Sequence, residues 1–197
     1  MVYDGILLSL IVGFIRKGNL RGLAQLKLKW GWIFPLLLIV QIITFVYQND
    51  IKFLGKASES IYMVVYIIGL LFLYLNRNHK GFMIIFIGVF LNFLVMVVNG
   101  GRMPVSEEAA AVLDPMYIQA LKDGLYAKHI LLTDSTILGF LGDIIPLGPP
   151  YPRTQVISIG DVVMNIGAFL FIQYLMLQPN KKNREITSHS LKGGETR

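Results

Sequence analysis

The sequence predicts an all-α, polytopic integral membrane protein with five transmembrane helices, its N-terminus outside and its C-terminus inside. Three observations lead there. Of 197 residues, 54% are hydrophobic and only 15% charged, with a mean hydropathy of +0.60; soluble chains run nearer about 25% charged. The apolar residues gather into five blocks divided by short charged stretches, and Lys and Arg are shared unequally between alternate connections. This combination excludes a soluble enzyme, a disordered chain and a nucleic-acid-binding domain. Topology accounts for the net charge of +6. The absence of cysteine excludes disulfides, thiolate metal sites and a cysteine nucleophile.

The first block, Met1–Ile15, has the length of a signal peptide. It carries Asp4 where a basic leader would stand, and Arg16-Lys17 follows as a stop, so it is expected to remain as a span. Trp32–Tyr47, Ile61–Leu75 and Gly81–Val98 follow, and Ile159–Leu177 is the fifth. Spanning takes about 20 residues, so several blocks depend on their flanks. Trp30, Trp32, Tyr47, Tyr62, Tyr74 and Tyr174 sit near block ends, where amphipathic rings anchor at headgroups. A short buried helix of a soluble bundle would need a polar face, and Ile61–Leu75 has almost none. Residues 1–98 thus hold four spans, 99–158 an extracytoplasmic cap, 159–178 the fifth span, and 179–197 a polar, Lys-rich tail read as disordered cytoplasm. One set of connections carries twelve Lys and Arg, among them Arg16, Lys17, Arg77 and Lys80, against six on the other. The positive-inside rule sets the orientation in a cell membrane, N-terminus out and C-terminus in.

The outer segment, Asn99 to Ser158, is where function is expected, because long structured loops on rigid scaffolds carry it. Glu107–Leu125 reads as a short helix with acids at its first turn. Thr133-Asp134-Ser135 offers a cap for a second apolar stretch, Ile137 to Ile145, too short to span and expected to lie on the surface or re-enter. Pro146 to Pro152 should form a stiff extended connector into the last helix. Asp143 and Asp161 fall on either side of it. Two carboxylates in a poorly solvated site share a proton, so one acts as base on a water while the other donates to a carbonyl oxygen. The competing reading makes Asp161 a cap, since Ser158-x-x-Asp161 matches a capping box, and Asp143 a hydrogen-bonded turn residue. Asn99-Gly100-Gly101-Arg102-Met103-Pro104 suits a left-handed helix C-cap and leaves Arg102 at headgroup height. There it could clamp a lipid phosphate or pair with Asp143 or Asp161. Asn99 and Arg102 are therefore candidate ligand-binding residues, together with His129, the only outer histidine. Scattered histidines exclude a multi-histidine metal site, and no cofactor motif is present. Gln41, Asn92, Asn165 and Gln173, polar residues inside apolar blocks, are expected to join helices.

Asn99 to Val105, Lys128-His-Ile-Leu-Leu-Thr133, Leu141 to Pro146 and Ser158-Ile-Gly-Asp161 resemble an uncharacterised family of small bacterial membrane proteins common in Gram-positives. More distantly, the end of the chain resembles the type II signal peptidase, an aspartyl protease that trims lipoproteins. That resemblance implies a catalytic pair: Asp143 among apolar residues, and Asp161 opening the last helix with Gly167 six residues later. Ser158 stands where that family has Asn and Gly160 where it has Ala, and the family normally has four spans. Two functions follow. The favoured one is a non-enzymatic accessory or ligand- and lipid-binding component acting through its cap, with membrane lipids and a protein partner outside and no nucleic acid. The alternative is a membrane aspartyl hydrolase or peptidase using Asp143 and Asp161.

Overall fold

A computed structural model of the chain describes residues 2–48, 50–123 and 128–178. Met1, the stretch around Gly124 and Leu125, and the tail from Pro179 lie outside the described residues. Five apolar helices form the body: α1 (Val2–Ile15), α3 (Ile33–Tyr47), α4 (Lys52–Leu75), α5 (Phe82–Val98) and α8 (Ile159–Met176), with a single turn, α2 (Arg21–Ala24), after the first. Two stretches, Ala57–Leu75 and Ile159–Met176, are long and apolar enough to cross a membrane, while α1, α3 and α5 are shorter apolar helices. The helices stand side by side in the order α3, α4, α5, α8, α1.

The α5–α8 seam is closest because glycines line it. A methyl group on Gly88 would lie 2.5 Å from the Gly160 carbonyl oxygen, and one on Gly167 would lie 2.6 Å from the Ile85 nitrogen. Small residues let two helix backbones approach this closely. Asn92, Asn165 and Gln173, three of the four polar residues in the apolar blocks, join helices as expected. Asn165 Oδ1 accepts from Gly5 N at 3.0 Å, linking α8 to α1. Gln173 donates to the Ser9 carbonyl at 2.5 Å and accepts from Arg16 at 3.0 Å. Around Phe72, Leu73 and Phe82 an aromatic core closes the end opposite the cap.

The cap corrects the all-α expectation. It contains a four-stranded mixed sheet ordered β2 (His129–Leu131), β1 (Met103–Val105), β3 (Asp143–Leu147), β4 (Gln155–Ser158). β1 runs parallel to β2 and β3, and β3 is antiparallel to β4. The helix expected over Glu107–Leu125 is two: α6 (Glu107–Ala110), capped by Ser106, and α7 (Pro115–Lys122), capped by Asp114 with Pro115 in its first turn. Pro115 needs no amide donor at that position and fixes φ, so the chain restarts there. These helices cover the sheet through Val105, Ala109, Ala110, Leu121 and Val156. The apolar stretch Ile137 to Ile145 is neither a surface helix nor a re-entrant one. It is a 3-10 turn (Gly139–Leu141) that runs into β3. Thr133 to Thr136 is a hydrogen-bonded turn rather than a helix cap. Nor is the proline segment an extended connector, because Pro146 and Leu147 lie within β3 and the rest turns back into β4.

Candidate functional site

The junction between cap and helices is built on the start of α8. Ser158 has extended backbone and its hydroxyl accepts from Asp161 N at 3.0 Å, while Asp161 Oδ2 accepts from Ser158 N at 3.1 Å. This is the capping box that the sequence spelled, satisfying two amides that the first turn would otherwise leave unpaired. Asn92 of α5 completes the ring, donating to Asp161 Oδ1 at 3.1 Å and accepting from the Ser158 hydroxyl at 2.8 Å. Asp161 is only 5% exposed, and both carboxylate oxygens are engaged.

Asp143 has an unlike environment. It opens β3, pairs across the sheet with Ser158, and its carbonyl accepts from Ser106 N at 3.0 Å. The side chain is buried at the end of the sheet facing the helices, near that ring, and the residue is 4% exposed. Oδ2 lies 3.5 Å from His129 Nε2, while Oδ1 is buried with no hydrogen-bond partner among the described residues. Burial and the neighbouring Asp161 push the Asp143 carboxyl up to about 8, with Lys128 opposing them. Burial, reinforced by Lys128, pushes His129 down to about 3. Lys128 keeps its ammonium above the ordinary range, through the Tyr66 phenol oxygen against the cost of burial, with Asp143, Asp161 and Tyr62 adding to the effect.

At neutral pH, Asp143 therefore keeps its proton and His129 carries none. The arrangement holds the Asp143 proton beside an uncharged, half-buried imidazole. The two aspartates share one electrostatic neighbourhood, brought there by the Asp143–Ser158 pairing. Among the described residues, no group of three His, Asp or Glu side chains could hold a metal ion.

The other candidates serve the architecture. Asn99 ends α5, and Gly100, at φ +70°, lets Gly101 N reach back to the Met96 carbonyl at 2.8 Å, the left-handed cap expected there. The Asn99 side chain donates to the Val95 and Ile137 carbonyls, both at 2.7 Å, and accepts from Ile137 N at 3.1 Å. Arg102 pairs with neither aspartate. Its Nε donates to Glu59 of α4 at 2.7 Å, with a second contact from its guanidinium to the same carboxylate oxygen. Asp161 is already held by Asn92 and Ser158.

Sequence reasoning did not single out Lys128 as a site residue. Its sequence neighbours give no sign of this role, because its field on Asp143 arises only when the β2 and β3 ends meet at β1. Asn92 was legible as a polar residue inside an apolar helix, though its partners were not.

Every candidate residue lies within residues 25–173, the stretch that matches a family of unknown function, DUF5317. The chain belongs to that family. DUF5317 membership carries no stated activity. A relative from Thermotoga maritima, described as an uncharacterized protein, is 29% identical over 171 residues, covering 87% of this chain and 89% of its own length. No solved structure matches the chain.

Proposed function

We propose that this DUF5317 protein is a non-enzymatic, five-span component of the bacterial plasma membrane that presents a rigid extracytoplasmic cap to membrane lipids and to a protein partner. The spanning part is supported by the apolar side chains that the helices leave exposed, such as Ile11, Ile42, Phe45, Ile67, Phe90 and Ile166. In water such a surface would be a severe liability, and in lipid it is the solvent-facing side. Successive long helices alternate in direction, so the cap end gathers the start of α1 and α8 and the end of α5. The opposite end holds Arg16, Lys17, Arg21, Lys27, Lys29, Arg77 and Lys80 with no acid among residues 16–32 and 76–81. That asymmetry supports N-out, C-in.

The observation that carries the non-enzymatic reading is the state of Asp161. Each of its oxygens accepts a hydrogen bond that helps hold α5, α8 and β4 together, which gives the carboxylate a structural task. An aspartyl hydrolase is the second reading, favoured by one feature: Asp143 is neutral, buried and has an unpartnered oxygen. The two separate in a strain lacking the gene. Asp143→Asn and Asp161→Asn keep shape but cannot accept and return a proton. Full rescue by both variants at normal protein level supports the docking component. Loss of rescue by both, with normal folding and no further loss in the double variant, establishes the hydrolase instead.

A further inference from the structure

Between the polar turn at Thr133–Thr136 and β3, the chain displays its apolar side chains in opposite directions. Leu138 and Leu141 turn inward onto Val95, Met96 and Met103, at the foot of the cap. Ile137 and Phe140 turn outward, 56% and 61% exposed. The display is held rigidly. Leu138 sits in the left-handed region at φ +54°, and the Asn99 side chain grips the Ile137 backbone by both its N–H and its carbonyl. A left-handed leucine is a costly conformation, kept only where its surroundings dictate it. Residues 137–142 carry no charge.

The tip is fastened to the end of α5, a helix of 17 residues. At about 1.5 Å per residue such a helix spans about 25 Å, short of the about 30 Å of a hydrocarbon core. Val97, in the last turn of α5, is itself exposed, so the apolar surface of that helix leads to the helix end that anchors the tip. The tip is preceded in the chain by the polar residues Thr133, Asp134, Ser135 and Thr136.

We propose that the tip carrying Ile137 and Phe140 is immersed in the outer leaflet, where acyl chains meet headgroups, and seats the cap on the lipid surface. This rests on the membrane-spanning reading, and the test keeps the two apart. The chain has no cysteine, so single cysteines at surface positions can be spin-labelled without background. Phe140→Cys, Phe90→Cys in mid-α5 and Asp134→Cys in the polar turn are each reconstituted into phosphatidylcholine–phosphatidylglycerol vesicles. Accessibility to dissolved oxygen and to a water-soluble nickel(II) chelate is then compared. The expected oxygen-to-nickel ratio at Phe140 is several-fold above that at Asp134 and below that at Phe90, with Ile137→Cys behaving like Phe140→Cys. A label at Phe140 as open to nickel as that at Asp134, while Phe90 is shielded, overturns the inference and leaves the spanning reading intact. A label at Phe90 as open as Asp134 overturns the spanning reading itself. A Phe140 label shielded from both reagents shows protein covering the tip, which also overturns the proposal.

Discussion

Raising the pH should destabilise this protein through Asp143 alone, and the window can be worked out. The folded carboxyl releases its proton at about 8, against an unfolded value of 3.8. Unfolding therefore releases a proton throughout that interval, and stability falls as pH rises across it. His129 has the opposite sign: its folded value near 3 lies below the unfolded 6.5, so stability falls as pH drops through that range. Where the two intervals overlap, the slopes oppose and nearly cancel. Between pH 6.5 and 8 Asp143 acts by itself. One pH unit there costs about 1.4 kcal/mol, or ~2 kcal/mol across the window. For a chain of this size that lowers Tm by about 4–8 °C. Thermal unfolding in detergent micelles, followed by the fluorescence of Trp30 and Trp32 at half-unit pH steps, measures it. Asp143→Asn is neutral at every pH and should flatten the profile above pH 6.5. A wild-type Tm that holds or rises from pH 6.5 to 8, or an Asn variant that falls in parallel, refutes the placement of a protonated, buried Asp143.

Three further outcomes follow from the packing. Asp161→Ala leaves the Asn92 amide and the Ser158 N–H as buried donors without an acceptor, costing about 1–3 kcal/mol for each. A double-mutant cycle with Asn92→Ala should show a coupling of about 0.5–3 kcal/mol, and additivity in chemical denaturation would contradict the bonded ring. Gly88→Ala and Gly160→Ala each force the α5–α8 seam apart and should lower Tm, with the pair costing less than the sum because one separation accommodates both methyls; a Tm within error of wild type for either would contradict the close approach. Arg102→Ala breaks a partly exposed pair worth about 0–1 kcal/mol. The swap Arg102→Glu with Glu59→Arg should recover what either reversal loses, and failure to do so in the same unfolding assay would assign Arg102 another partner.

What the sequence revealed, and what it hid, divides by the range of the forces involved. The helices were legible because each is a local run of apolar residues, and the capping box and the glycine C-cap were legible because their partners lie within a few positions. The sheet was hidden. Its strands are three to five residues long, too short for a period-two pattern to stand out from an apolar run. Pro104 also argues against a central strand, because it lacks a donor. The structure accommodates it because β1 meets β3 only at Val105, so Pro104 pairs on one side alone. The partner of Arg102 was hidden for a similar reason: Glu59 is 43 positions away, and only packing of α4 against α5 selects it over the aspartates.

The two aspartates show how far pattern reaches toward chemistry. Their types and spacing suggested a pair with unequal protons, but nothing in the sequence said which would keep one. A single register pair, Asp143 with Ser158, decides it. It places Asp143 beside the start of α8, where the Ser158 N–H and the Asn92 amide donate to the two oxygens of Asp161. It sets Asp143 on the adjacent strand, where one oxygen finds no donor and burial favours the acid. The pairing of β1 with both β2 and β3 brings His129 to 3.5 Å from Asp143 on its other side. The bonds that tie Asp161 to Asn92 and Ser158 also join α5 to α8 and β4, so any chemistry at Asp161 would draw on a carboxylate that the seam already uses. A change at Asp161 should therefore be read first in the stability of the seam, and only a variant that keeps that stability can report on chemistry.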